Sequence, residues 1–270
     1  MYSLCAETHT HLQLVFFSFL FSFRFFPLLL LLFFAEAVGT VTRFHPQTKL
    51  VETMASLNVL RFGHGLVVLN DKLFAVGGYG DDGGRVRSVE KFNAEENKWE
   101  EVAGLNCVRS ALGCAVLNGK IYVAGGYGPS QNGNQSNQKL STVEEYCPIQ
   151  NKWTEVEPLK QARAHVCCIG YQGKLWAIGG YDGEHASQRV ELFDPVTNTW
   201  TAGPQLNEKR SVVVCAVVGR RLYAIGGYDG QQYLSSTEIF DPERNVWVLG
   251  PVMPGNRGRH CVASLPYSIL

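Results

Sequence analysis

Seven histidines, eight cysteines and several recurring acidic and basic residues are the side chains of this 270-residue chain that could do chemistry. Catalysis would need a nucleophile beside a base, two facing carboxylates, or a cluster of metal ligands. The histidines, at His9, His11, His45, His64, His165, His185 and His260, show no ligand spacing. His64, His165 and His260 each follow an arginine by two or three residues, which points to an architectural position. Asp182 and Asp229 each sit between a tyrosine and a glycine, the setting of a turn rather than of an acid catalyst. Asp81-Asp82-Gly83-Gly84 could attract a cation, but its spacing is not diagnostic of a metal loop. The cysteines, Cys5, Cys107, Cys114, Cys147, Cys167, Cys168, Cys215 and Cys261, form no CxxC pair. Cys114, Cys168 and Cys215 each stand five residues after an arginine and alternate with apolar residues, the pattern of free thiols packed as small core residues. A reducing compartment, no catalytic residue, no metal and no cofactor are therefore expected.

The same residue types become orderly when read as a repeat. Glycine pairs occur at Gly77-Gly78, Gly125-Gly126, Gly179-Gly180 and Gly226-Gly227, and an arginine stands sixteen residues before each pair: Arg61, Arg109, Arg163 and Arg210. Glu90, Glu144, Glu191 and Glu238 precede Trp99, Trp153, Trp200 and Trp247 by nine, with Phe92, Tyr146, Phe193 and Phe240 two beyond each glutamate. A register of four components repeated four times calls for a repeat architecture. Each unit reads as four short strands: Ser211 to Val218, Arg221 to Ile225, Ser236 to Phe240, and a run from Val246. One such sheet cannot cover both faces alone, whereas radial stacking buries each against its neighbours. The glycine pairs allow close backbone approach. The aromatics fill the wedge between sheets, and each glutamate, if inward, needs the arginine or backbone N–H groups as partners. The glycines are not phosphate cradles, because no GxGxxG pattern or following helix accompanies them.

The quoted stretches VLNGKIYVAGGYG, KLWAIGGYDG and RLYAIGGYDG, the elements VEKF, VEEY, VELF and TEIF, and the spaced tryptophans resemble kelch-repeat proteins, in particular the propeller of kelch-like BTB-type adaptors. The resemblance implies an all-β propeller of four-stranded antiparallel blades. Four complete repeats are expected, at 61–108, 109–162, 163–209 and 210–256, within a propeller region of 44–265. Two terminal part-blades flank them, so the expected ring is truncated or incompletely closed, and 266–270 is a tail. In the family the propeller recruits a protein for ubiquitination, while BTB and BACK domains dimerise and engage cullin-3. Residues 1–43 resemble neither domain, so what carries over is the substrate-binding half, with a cullin-3 complex engaged only through a BTB-bearing isoform. Some kelch proteins bind actin, which is the alternative. The copper constellation of the galactose oxidase relatives is not recognisable.

A binding surface is expected on the rim formed by the loops after the glycine pairs. Tyr79, Tyr127, Tyr181 and Tyr228 recur there and offer contact area plus a hydroxyl, or else pack against neighbouring loops. Arg109, Arg163 and Arg210 could grip acidic groups of a protein or peptide ligand, or form salt bridges between blades. The second repeat carries a polar insertion between Gly126 and Glu144 that should project beside Tyr127. A formal net charge of zero gives no field for nucleic acid or anionic membrane. The apolar run 12–34, with Arg24 near its middle, reads as a signal or anchor, as an interaction helix, or as an extension foreign to the mature protein. Cytoplasmic location is expected, with membrane or secretory placement if that run is a true anchor or signal. Only then would the Asn134-Gln135-Ser136 sequon matter.

Overall fold

A computed structural model describes residues 13–15, 28–33, 39–45, 48, 50–129 and 137–258. They form strands and turns, with no helix among them. Four antiparallel four-stranded sheets follow one another. Blade I contains Gly65–Leu69, Lys72–Val76, Val89–Asn93 and Lys98–Val102. Blade II contains Gly113–Leu117, Lys120–Ala124, Val143–Cys147 and Lys152–Val156. Blade III contains Cys167–Tyr171, Lys174–Ile178, Val190–Asp194 and Thr199–Ala202. Blade IV contains Val214–Val218, Arg221–Ile225, Thr237–Asp241 and Val246–Leu249. In every blade the strands are ordered as in the chain, and the first strands of successive blades lie side by side. This is the β-propeller architecture.

The turns follow from residues that tolerate positive φ. Asn70-Asp71, Asn118-Gly119, Gln172-Gly173 and Gly219-Arg220 join first to second strands with both residues left-handed, the two-residue turn whose twist suits a hairpin. Asn97, Asn151, Asn198 and Asn245 close the outer hairpins, also at positive φ. That register sets Phe92 opposite Trp99, Tyr146 opposite Trp153, Phe193 opposite Trp200 and Phe240 opposite Trp247. The last three aromatic pairs lie on the second strand of the preceding blade: Tyr146 meets Phe74, Phe193 meets Tyr122, and Phe240 meets Trp176 at 4.9–5.9 Å between ring centres. The core is thus divided among the seams between blades.

Ahead of blade I, Val41–Phe44 and Val51–Met54 form the third and fourth strands of a leading sheet, with Phe44 opposite Val51 in the register of the other aromatic pairs. Its first two positions are taken by Gln13–Val15 and Leu28–Phe33. The apolar run thus contributes Gln13–Val15 and Leu28–Phe33 to this sheet, and Val41–Phe44 starts three residues ahead of the propeller region expected from residue 44. The rest of that run lies outside the described residues. Among the described residues no helix is long and apolar enough to cross a membrane. At the other end, Tyr223 and Ile225 are half-exposed, although Trp176 and Ile178 at the same places in blade III are buried. The described sheets therefore run in an open arc, without another blade over the face of blade IV. The final part-blade after Gly258 lies outside the described residues.

Candidate functional site

Each blade begins with a linker, and three repeated side chains hold it at three points. The indole N–H of Trp99, Trp153, Trp200 or Trp247 donates to the carbonyl at its start: Ala55, Ala103, Glu157 or Pro204. The glutamate holds its middle. Glu90, Glu144, Glu191 and Glu238 accept the backbone N–H of Asn58, Asn106, Lys160 and Asn207 at 2.7–2.8 Å. The arginine closes its end. Arg61, Arg109 and Arg163 donate to their glutamates at 2.6–2.8 Å through Nη2. Arg210 uses Nε at 3.0 Å and turns Nη2 to Glu208.

The backbone around the glycine pair completes the brace. Each arginine's Nη1 donates to the carbonyl of the first glycine of its own repeat: Gly77, Gly125, Gly179 or Gly226. The second glycine, Gly78, Gly126, Gly180 or Gly227, donates its N–H to the carbonyl of the next repeat's arginine, the last being Arg257. At Gly125 and Gly179, both left-handed, an added Cβ would lie 2.3 Å from that carbonyl oxygen, so only glycine fits.

The four arginines and their glutamates are at most 2 % exposed. Burial lowers the pKa of Arg61 and Arg163, and the glutamate charge opposes that shift. Arg109, Arg163 and Arg210 therefore lie beneath the rim with their guanidinium groups turned inward. Their side chains are buried against the glutamate of their own repeat, and Arg210 also pairs with Glu208 at the end of the preceding one. The physical reason is that a linker crossing between sheets leaves unpaired backbone groups, and a buried charge pair with several hydrogen bonds satisfies them.

The rim itself carries the tyrosines. The residue after each arginine exchanges both backbone hydrogen bonds with the tyrosine of its repeat: Ser110 with Tyr127, Ala164 with Tyr181, Ser211 with Tyr228. In blade I the short pairing of Arg61–Phe62 with Tyr79–Gly80 takes that place. All four tyrosines are half-buried. Tyr79 and Tyr181 donate to the carbonyls of Gly83 and Gly183, Tyr127 meets the His165 ring edge-on at 5.4 Å, and Tyr228 lies 5.3 Å from Tyr233.

Two cations thread this row. The Arg85 guanidinium lies 5.8 Å from the Tyr79 ring centre and 6.0 Å from that of Tyr127. It also donates to Ser110 Oγ and Asn137 Oδ1. The Lys139 ammonium lies 5.8 Å from the Tyr181 ring centre. Each cation thus reaches from one blade to the tyrosine of the next. Neither forms an ion pair with an acidic side chain among the described residues. A cleft of about 700 Å³ opens beside Arg85, lined also by Arg87, Asp82, Ser88 and Asn106. Position explains what sequence reading overlooked: Arg85, Lys139, Ala186 and Tyr233 all pair with the tyrosine of their own repeat. Loops of unequal length hide that equivalence.

The candidate acid–base groups are absorbed by structure. Asp182 accepts the N–H groups of Glu184 and His185, and Asp229 those of Gln231 and Gln232; these bonds lower both carboxyl pKa values. Asp82 accepts Gly84 N–H in the same way. Burial and the nearby Arg61 charge hold His64 well below the usual imidazole range, so it is neutral at pH 7. The six described cysteines are free thiols, with Cys168 and Cys215 buried. The insertion residues 130–136 lie outside the described residues.

Comparison with known families agrees with this geometry. Residues 41–209 match the family model of the KLHDC2/KLHL20/DRC7 Kelch-repeats domain, and residues 209–254 match that of the Kelch motif.

Proposed function

Since the chain belongs to the kelch-repeat family, whose propellers are in general protein-binding modules and not enzymes, we propose that its rim is a peptide-recognition surface for substrates of a cullin-3 ubiquitin ligase. The observation that carries the reading is the row Tyr79, Arg85, Tyr127, Lys139 and Tyr181. Its cations rest on aromatic faces and have no acidic partner among the described residues. Tyrosine and arginine are the residues in which binding energy concentrates, because they contribute area and directional contacts at small entropy cost. A cation fixed in this way favours a carboxylate-bearing peptide segment. The buried arginine–glutamate braces hold the row at fixed spacing and do not themselves touch the ligand.

The test is copurification from cells of the intact chain and of an Arg85→Ala/Lys139→Ala variant, with a parallel actin co-sedimentation assay. The reading expects protein partners that the variant loses, in complexes that also contain cullin-3 through a BTB-bearing subunit. Co-sedimentation with actin that the variant retains, with no cullin-3 in any complex, overturns it.

A further inference from the structure

The first strands of the four blades can be aligned residue by residue from the repeat arginine. Four residues after it stand Gly65, Gly113, Cys167 and Val214; five after it stand Leu66, Cys114, Cys168 and Cys215. At the first two seams the fifth residue of the later blade packs against the fourth residue of the earlier one. A Cβ added to Gly65 would lie 2.5 Å from Cys114 Cβ and 3.0 Å from its Sγ. One added to Gly113 would lie 2.4 Å from Cys168 Sγ. The first two seams thus use glycine to leave room for the opposing thiol. The seam between blades III and IV departs from that rule: the fourth position is Cys167, so a second thiol occupies the space facing Cys215. Both cysteines belong to the same apolar cluster at this seam.

We propose that Cys167 and Cys215 are an oxidisable dithiol, a modification site that a peroxide converts into a disulfide joining blades III and IV. Cys167 is half-buried and so the more accessible of the two, whereas Cys215 is buried. The neighbouring Cys215 thiol lowers the pKa of Cys167, while burial raises that of Cys215 well above the ordinary value. As the less buried of the two, Cys167 is the attacking thiol and Cys215 the resolving one. In the first step the Cys167 thiol gives up its proton and its sulfur attacks one peroxide oxygen, the O–O bond breaks, and the leaving hydroxide takes up that proton to become water. In the second, Cys215 sulfur attacks the sulfenic sulfur, the S–O bond breaks, and the departing hydroxide takes the Cys215 proton as a second water. Two thiols and one hydrogen peroxide give one disulfide and two waters, each sulfur losing one electron. The cross-link closes a long loop through the whole of blade III, so it restricts the unfolded chain and fastens the seam beneath Tyr181 and Tyr228.

The experiment treats the reduced full chain with hydrogen peroxide, blocks remaining thiols by alkylation, and maps tryptic peptides without reduction. The expected product joins the peptide 164–174, AHVCCIGYQGK, to 211–220, SVVVCAVVGR, with a loss of two hydrogens reversed by dithiothreitol. Oxidation should raise the urea midpoint of the wild-type chain. Cys168→Ser should retain the link, whereas Cys167→Ser, or Cys167→Gly with the residue of blades I and II, should abolish it. A bond within the peptide 164–174, a link from Cys168 to Cys114, or oxidation to sulfinic acid without any cross-link overturns the proposal. The wild-type map decides it even if a variant fails to fold.

Discussion

Replacing Glu144 by glutamine isolates the brace on which the seams depend. One carboxylate oxygen accepts Arg109 Nη2 at 2.7 Å and the other accepts Asn106 N–H at 2.7 Å, with both Arg109 and Glu144 fully buried. Glutamine keeps the volume and one acceptor. Its NH₂ group must face either the guanidinium or the Asn106 N–H, donor against donor, and the negative charge is gone. Breaking a buried pair from one side costs about 3–5 kcal/mol, because the remaining charge is left uncompensated. For a chain of this size that corresponds to a fall in Tm of about 6–20 °C. Urea unfolding followed by tryptophan fluorescence measures it. Amide exchange at Leu105 and Asn106 should speed up more than exchange in blade IV, because the linker loses its central tether. Replacing both partners, Arg109→Met with Glu144→Leu, should cost no more than the single change, because it removes the unpaired charge although the Asn106 N–H and the Gly125 carbonyl lose these partners. A loss below about 1 kcal/mol for the single variant, or a double variant worse than the single one, would refute the reasoning.

Gly125→Ala should destabilise by at least about 2 kcal/mol, because a left-handed alanine there also meets the Arg163 carbonyl; Gly119→Ala, left-handed in open space, should cost about 1 kcal/mol by the same urea assay. The lowered pKa values of Asp182 and Asp229 imply stability that is complete above the ordinary aspartate value and is lost as pH falls through the lowered ones. In a pH series of urea midpoints below about pH 4, Asp229→Asn should therefore decline less steeply than wild type. Deleting Ser130 to Gln135 should leave the urea midpoint nearly unchanged, since loop closure varies by only about 0.6 kcal/mol per doubling of length. A large shift would mean that the insertion packs on the propeller.

Sequence periodicity revealed the blades because every blade solves the same packing problem with the same residues at the same spacing. The aromatic pairs, the glycine pairs and the need of each glutamate for arginine and backbone N–H groups were all readable in that way. The β-branched run predicts a first strand of blade IV over Ser211 to Val218, yet the strand begins at Val214. Ser211 instead pairs with Tyr228, a contact between loops that no local pattern announces. Leu57, Leu105, Leu159 and Leu206, each four residues before a repeat arginine, anchor the linkers in the core and were available as a further periodic signal. The residue type of the arginines suggests rim binding, because bidentate donors suit acidic ligands. Long-range burial decided otherwise, filling their hydrogen bonds with internal acceptors. Arg85 and Lys139 escaped notice for the opposite reason: loop lengths differ between repeats, so their equivalence exists in space and not in spacing.

The central claim is that the tyrosine and cation rim recognises peptides bearing carboxylates. The most direct measurement is selection from a randomised peptide library on the intact wild-type chain and on an Arg85→Ala/Lys139→Ala variant with an unchanged urea midpoint. The account predicts that wild type enriches peptides containing aspartate or glutamate, that their affinity falls with added salt, and that the variant does not enrich them. Enrichment of the same peptides by both proteins, or of peptides without acidic residues, would contradict it.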